Sequence, residues 1–420
     1  MSATDHPADT TSRLPRDFWR LWGSSTSSNL GDGVRLTALP LLAAAIDPRP
    51  VVVASLSALG YVPWLVFALI AGGVADRADR RRLMVRLQLV RIVILALFAV
   101  TVSVGRANMV LLFAVALAMG VAEVFFDSTA ATVLPSVLPV GQLERGNSRL
   151  YSAELTANEL VGSPLGAGLF AWQVAAPFWF GLAGSAASGL LLSRIGVSFN
   201  PPADERDDPD ATTPSLMRSI RDGVRLTLSS RFLRAWTFVL AMANLSRAMT
   251  VSVFVLYVLD LLHESKLAFG VLSAMVAVGG VAGGWRADRV IETLGRRTAA
   301  LGGFGLVVTS HLLLGLVLDP VVAGAAGILF GIGIAVTNVL FVSTRQKIVP
   351  GDFLGRVASV QRFVAWGSLP LGALLGGWLA QTWNLRVPYL VAAAVVSAFV
   401  VVFGRGLLDF PETRVEITGR

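Results

Sequence analysis

The sequence predicts an all-α polytopic membrane protein whose transmembrane helices, about twelve in number, form two pseudo-symmetric six-helix halves. Three observations carry this expectation. Hydrophobic residues make up 54% of the chain against 15% charged, with a mean hydropathy of +0.68, which leaves too little polar surface to cover a soluble globule of 420 residues. Apolar runs of roughly 20 residues, the length needed to cross about 30 Å of hydrocarbon, recur from end to end. Gly72 to Arg81 read G-G-V-A-D-R-A-D-R-R, and Gly283 to Arg297 open G-G-W-R-A-D-R and close G-R-R, so Asp76 and Asp288 stand 212 residues apart, half the chain.

Taken in order, Met1 to Leu14 are polar and carry Asp5 and Asp9, which reads as a tail within a cytoplasmic segment 1–17 rather than as a cleavable signal. Spans drawn at 18–43, 51–75, 84–104, 108–134, 146–170 and 174–195 build a first bundle over 18–195. Small residues at four-residue spacing, Gly181, Ser185 and Gly189, allow close helix contact there. Asn200 to Pro214 read N-P-P-A-D-E-R-D-D-P-D-A-T-T-P, whose prolines and acids prevent a spanning structure, so 196–231 is the cytoplasmic linker. Within it Leu216, Ile220, Val224 and Leu228 recur every four residues beside Arg218, Arg221 and Arg225. That pattern fits either a cationic helix lying on the membrane surface or a solvated basic linker. Spans at 232–259, 267–287, 298–318, 320–344, 354–380 and 386–408 build the second bundle over 232–408, with Gly280 and Gly284 again offering close packing and 409–420 a cytoplasmic tail.

Charge sets the orientation. The net charge of +8 comes from arginines at the ends of apolar segments, so it reports topology rather than a nucleic-acid partner. Even-numbered connections hold Arg77, Arg80 to Arg82, Arg145, Arg206, Arg231, Arg286, Arg289, Arg296, Arg297, Lys347 and Arg356. The odd ones offer little beyond Arg49, Arg106, Lys266 and Arg386, so both termini are expected in the cytoplasm of a bacterial inner-membrane protein. The absence of cysteine excludes disulfides and thiolate chemistry. Lys266 and Lys347 are the only lysines and neither follows a phosphate-binding glycine loop, while His6, His263 and His311 have no metal-ligand spacing. No enzyme signature, cofactor or metal site is expected.

Four blocks in order carry a resemblance: N-L-G-D-G at Asn29 to Gly33, G-G-V-A-D-R-A-D-R-R-R at Gly72 to Arg82, F-F-D-S at Phe125 to Ser128, and F-L-G-R-V at Phe353 to Val357 leading into A-W-G-S-L-P-L-G-A-L-L-G-G at Ala365 to Gly377. The chain resembles, over nearly its whole length, a major facilitator superfamily transporter of the branch containing bacterial enterobactin exporters and macrolide efflux proteins. The superfamily's loop motif usually has glycine where Asp79 stands, and A-D-R-x-D-R-R-R is a variant common in that branch. The resemblance implies the major facilitator fold, with spans one, four, seven and ten around a central cavity. It also assigns the two loop blocks, Gly72, Gly73, Asp76, Arg77, Arg80 and Arg81 in the first and Asp288, Arg289, Arg296 and Arg297 in the second, to a gate between the halves. Physically, the glycines let helices approach and the acid meets a helix N-terminus or an arginine. A plain topology anchor is the other reading. N-E-L-V-G-S-P-L-G-A-G at Asn158 to Gly168 resembles the glycine-proline motif of superfamily antiporters, with Ser163 interrupting it, and Pro370 to Ala373 repeat P-L-G-A.

Ionisable residues inside spans cost about 2.5 to 3.5 kcal/mol each on insertion scales, so they need partners or a purpose. Asp32 and Arg35 share a face near the midplane of span one, and Glu123, Glu159 and Arg247 reach similar depth, with Asp127 one turn beyond Glu123. Asp32 is the first choice for a proton carrier, with Glu123, Asp127 and Glu159 behind it; a permanent Asp32–Arg35 structural pair, joined by Arg247, is the alternative. Asn158, Asn244 and Asn338 can hydrogen-bond a ligand or a neighbouring helix, and Tyr61, Trp64, Phe125, Phe126 and Trp366 can wall a cavity or simply pack. Arg91, Arg149, Glu154 and Arg362 are placed in the cytoplasmic thirds as gating or structural groups. The expected function is export of an amphiphilic drug-like molecule or siderophore by proton antiport with alternating access. The expected partners are that cargo, protons and the lipid bilayer, with the chain a monomer. Uptake or lipid transport by the same fold, and a non-transporting sensor or scaffold, are the competing readings.

Overall fold

The computed structural model describes residues 14–196 and 216–410, so the acidic stretch Asn200 to Pro214 and both extreme termini lie outside the described residues. Among the described residues there are helices and no strands. The chain runs through α1 (Arg16–Ile46), α2 (Pro50–Arg77), α3 (Arg80–Ser103) and α4 (Met109–Ala130). After the short α5 (Leu134–Val137), α6 (Leu143–Leu155) passes through a π-helical turn (Thr156–Val161) into α7 (Gly162–Trp172), and α8 (Ala176–Ser193) closes the first half. The second half holds α9 (Leu216–Ser229), α10 (Arg231–Val251), α11 (Phe254–Leu256) with a second π-turn (Tyr257–Leu261), α12 (Lys266–Leu316), α13 (Pro320–Ile348), α14 (Gly351–Thr382) and α15 (Val387–Leu407).

Local chemistry explains the boundaries. Asn108 and Ser230 each accept the N–H three residues on, and Asp319 accepts from Val321 and Val322, so α4, α10 and α13 begin on side-chain caps. Asp79 does the same for α3 by accepting the Arg82 N–H at 3.0 Å, which gives the acid that replaces the usual loop glycine a structural task. The second block turns differently. Helix continues through Val290 to Leu294 and breaks only at Gly295, where φ is 76° and ψ 157°, a conformation open to glycine. The loop expected from residue 288 is therefore mostly helix. Pro164 lacks the N–H that would bond Leu160, and the π-turn just before α7 takes up the mismatch.

Among the described residues, eight helices are long and apolar enough to cross a membrane, and nine if the bent pair Arg231–Val251 and Phe254–Leu261 is one span. The remaining expected spans are accounted for by three features: α12 holds two arms divided at Gly295, the π-turn splits the fifth span into shorter helices, and α1 is diluted by Asp32 and Arg35.

Packing groups the chain into two units. One comprises Met1–Ala38 with Val66–Asp210, the other Leu39–Leu65 with Ala211–Arg420. In the first, α1 lies so close to the α6–α7 segment that a Cβ at Gly33 would collide with the Asn158 carbonyl, and one at Gly166 would stand 2.6 Å from the Val34 carbonyl. On the other side of α1, a Cβ at Gly184 would stand 2.7 Å from the Ser27 carbonyl, and Gly189 meets Gln88 of α3. In the second unit Gly372 and Gly376 of α14 press in the same way on the backbone of Leu245 and Met249 in α10. Phe341, Trp236 and Phe232 form its aromatic core, the first two stacked 3.9 Å apart. The α1–α2 hairpin is part of this unit: the Val51 N–H donates to Gln381 Oε1 at 3.3 Å, and a Cβ at Gly377 would stand 2.5 Å from that of Ala54.

Two packing expectations need correction. Gly280 and Gly284 face open space, and the close approach is made one residue earlier, by Gly279 and Gly283 against Ile328 and Ile332 of α13. A Cβ at Gly72 or Gly73 likewise meets no described atom within 4 Å, so helix contact is not what those glycines serve. On α9, Val224 and Leu228 of the apolar stripe are exposed, which fits a face turned toward lipid, while Gly223, Leu226 and Thr227 are buried and Asp222 pairs with Arg356 of α14 at 3.1 Å. That helix docks by a neighbouring face. The Leu216, Arg218 and Ile220 side chains lie outside the described residues.

Gly33→Ala forces two backbones apart and is expected to cost about 1–3 kcal/mol, while Gly72→Ala is expected to be neutral. Detergent thermal-shift measurements on both variants check this, and equal melting temperatures would contradict the packing described.

Candidate functional site

Along α1, Ser24, Ser28, Asp32 and Arg35 recur every three or four residues, so a helix must carry them on one face, and that face is buried against α3, α4 and α8. From α3, Gln88 and Arg91 project into the same seam, both nearly inaccessible. Ser24 and Ser188 share a hydroxyl hydrogen bond of 2.7 Å, and the Gln88 amide donates to Ser188 at 2.9 Å and to Ser28 at 3.2 Å. Arg91 Nη1 donates to the Ser28 hydroxyl at 2.9 Å. The seam ends in charge. Asp32 Oδ1 accepts from Nη2 of Arg91 and, at 3.1 Å, from Nη2 of Arg35, and Arg35 Nη2 also reaches Glu123 Oε2 at 3.1 Å.

The pairing of Asp32 with Arg35 is as the spacing suggested, but Arg91 is not in a cytoplasmic third. Because α3 begins at Arg80 rather than at 84, Arg91 sits in the middle of its helix, with Phe126 beneath its guanidinium at 5.9 Å. Its depth follows from where α3 is capped, a detail visible in Asp79. Two guanidinium groups thus face Asp32 and Glu123, and Arg35 Nε and Arg91 Nε remain buried without a described hydrogen-bond partner. Asp127, one turn along α4, is exposed and holds no ion pair or hydrogen bond among the described residues, although its charge acts on Arg91.

Other predicted residues fall elsewhere. Glu159 is exposed in the π-turn, close enough to Glu154 to repel it, and Asn158 contributes its backbone to the Gly33 contact. Phe125 is half-buried 6.4 Å from Phe67, whereas Phe126 is packed under Arg91. In the second unit Trp64 and Trp366 are 4.4 Å apart, and Tyr61 and Trp366 pack on Ala58, Ala248, Leu369 and Ala373, so these aromatics do come together. Asn244 spends its amide on the Leu240 carbonyl at 2.9 Å, Asn338 is exposed, and Arg247 is half-buried on α10. In the loop blocks, Arg80 donates to the carbonyls of Ala75 and Thr132, and Arg81 to that of Ser193, which ties the loop to the ends of α2, α4 and α8. Asp288, Arg289 and Arg297 are exposed, Arg296 is half-buried, and the Asp76 and Arg77 side chains lie outside the described residues. Among the described residues no group of acids and histidines could hold a metal ion.

Removing one member of a buried ion pair leaves its partner's charge stranded, so Arg91→Gln is expected to destabilise the protein by about 3–5 kcal/mol. The double variant Asp32→Asn with Arg91→Gln should recover part of that loss. Thermal melts of the three variants test the coupling, and additive losses would refute it.

The helical fold is matched by known proteins. The Major Facilitator Superfamily model aligns with residues 21–370. The chain is 25% identical to the multidrug efflux pump Tap of Mycolicibacterium fortuitum over 386 residues, covering 87% of this chain and 90% of that one. It is 20% identical to macrolide efflux protein A of Streptococcus pyogenes over 394 residues, 92% of this chain and 94% of that one. Among solved structures, a bacterial homologue of the human lysosomal transporter Spinster, inward-facing and unoccupied, superposes with a TM-score of 0.75 at 12% identity, covering 98% and 100% of the two chains. A bacterial homologue of the iron transporter ferroportin, also inward-facing, gives 0.72 at 17% identity over 94% and 100%. The chain is a multi-pass membrane transporter, not an enzyme, and belongs to the Major Facilitator Superfamily.

Proposed function

We propose that this transporter exports an amphiphilic small molecule, drug-like or a siderophore, in exchange for protons by alternating access. The halves 18–195 and 232–408 are taken as the rocking units, and both termini as cytoplasmic. Efflux is the named activity of the Tap and macrolide relatives, and it comes to this chain as a proposal.

The observation that carries proton coupling is the charge count of the buried seam together with the exposed Asp127 at its edge. Arg35 and Arg91 supply two positive charges, while Asp32, Glu123 and Asp127 supply three negative ones. Asp32 is committed to both guanidinium groups and Glu123 to one, so Asp127 is the carboxylate with no cation left to balance it. A proton there completes the neutral set, and its loss leaves one uncompensated charge inside the bilayer. This moves the carrier role from Asp32 to Asp127, with Glu123 as its neighbour one turn away. Asp32 becomes the residue that positions both arginines. The loop blocks serve as the gate in this reading, with Arg80 and Arg81 anchoring the first of them to its own half.

Liposomes containing the purified protein and an acidic lumen should accumulate a fluorescent amphiphile or a macrolide. In Asp127→Asn the gradient-driven accumulation should fall to the level seen without a gradient, while exchange of labelled for unlabelled cargo persists. Gradient-driven transport undiminished in Asp127→Asn would remove Asp127 as the coupling acid. No movement of any amphiphile with either sign of gradient would overturn proton-coupled export itself.

A further inference from the structure

A cavity of about 680 Å³ opens between α1 and α6, on the opposite flank of α1 from the polar seam, and all of its lining belongs to the first unit. Its shape follows from the helix contact already described. The two helices touch at Gly33 and Asn158, and the cavity lines α1 from Trp19 to Leu30 and the α6 side from Ser148 to Val161, so this wedge runs from the level of that contact toward the first residues of both helices. The π-turn at Thr156–Val161 lies at the end nearest the contact.

The wedge is chemically polarised. Its part near the contact is lined by Leu30, Ala157 and Val161, and its mouth by Trp19, Trp22, Ser148, Arg149 and Ser152. Arg149 has its guanidinium 5.1 Å above the Trp19 ring, and the Trp22 indole N–H donates to the Arg149 carbonyl at 3.3 Å, so both helices hold the arginine at the opening. Among the described residues no carboxylate pairs with Arg149, and the Ser148, Ser152 and Thr156 hydroxyls make no hydrogen bond within the protein. Trp19 and Val161 remain 46% and 45% exposed, so the wedge is open along its length rather than sealed by protein.

We propose that this wedge binds an anionic phospholipid of the membrane leaflet into which the first residues of α1 and α6 descend. The phosphate meets Arg149 with the Ser148 and Ser152 hydroxyls, the tryptophans flank the glycerol region, and one acyl chain lies on Leu30, Ala157 and Val161. Each end matches its counterpart: a fixed cation with free donors at headgroup depth, where tryptophan is at home, and aliphatic surface toward the bilayer centre. A volume of about 680 Å³ suits a headgroup with the upper part of one chain. The bound lipid would cover the flank of α1 opposite Asp32, at the helix whose movement the transport cycle requires.

The test uses full-length protein in nanodiscs of phosphatidylcholine with a minority of phosphatidylglycerol, with retained lipid counted by native mass spectrometry. Wild type is expected to retain phosphatidylglycerol in preference to phosphatidylcholine. Arg149→Gln should lose about tenfold of that preference, the loss of one charge-assisted contact, and Arg149→Lys should keep most of it. Ser152→Phe, which fills the mouth and leaves the arginine in place, should abolish retention of either lipid and decides the question if Arg149→Gln fails to fold. An undiminished preference in Arg149→Gln, or undiminished retention in Ser152→Phe, overturns the proposal. Competition by soluble glycerol 3-phosphate as effective as by the lipid overturns it in favour of a free-anion site.

Discussion

The backbone contact between α1 and the π-turn, Gly33 against Asn158 with Gly162 and Gly166 alongside, is the constraint from which the first unit is built. Side chains cannot separate helices at that point, so van der Waals contact and backbone geometry alone set the register of α1. Once the register is set, the residues on either side of Gly33 have no freedom of depth. Asp32 points toward α3 and Arg35 toward Glu123 of α4, while on the opposite flank the same contact is the vertex of the Arg149 wedge. Pro164, three residues past the π-turn, keeps that segment from relaxing into a regular helix that would shift the contact.

The seam shows how a membrane interior tolerates charge. Two guanidinium groups and Asp32 are buried, with Glu123 half-buried beside them and hydroxyl and amide partners drawn from α1, α3 and α8, so no formal charge in the seam is left without an opposite. Gln88 and the serines continue the seam from the ions toward the first residues of α1, where a hydrocarbon side chain would leave the arginine donors unserved. Asp127 stands at the edge of this balanced set, and an exposed acid beside a neutral cluster is the simplest arrangement in which one proton changes the net charge of a helix bundle.

The two halves repeat packing more faithfully than chemistry. In the second unit Gly372 and Gly376 press on Leu245 and Met249 as Gly33 and Gly166 do on their partners, yet α10 carries Arg247 and no acid where α1 carries Asp32 and Arg35. The loop blocks turn by different means, an aspartate cap at Asp79 and a positive φ at Gly295, although their sequences look alike. Repetition of the fold therefore leaves room for the two packing units to differ in chemistry, the first holding the ions and the second the aromatic pair Trp64 and Trp366.

Much of this was legible in the residues themselves. Hydropathy and length place the spans because a bilayer accepts only helices with satisfied backbones, the half-chain repeat declares two units, and the i, i+3 spacing of Asp32 and Arg35 makes their pairing a matter of helix geometry. The pairing of Arg91 with Asp32 is not legible in the sequence, because it depends on how α3 packs along α1, which neither segment's own pattern reports. Gly72 and Gly280 were credited with contacts that belong to Gly33, Gly279 and Gly283, since composition marks where small residues lie but not which face meets a neighbour. The sequence by itself determined the membrane class, the helices and the stock of intramembrane charges. Only the tertiary structure decided which charges neutralise one another, which acid is left over and where the wedge opens, because those depend on the rotation and depth of helices from distant parts of the chain.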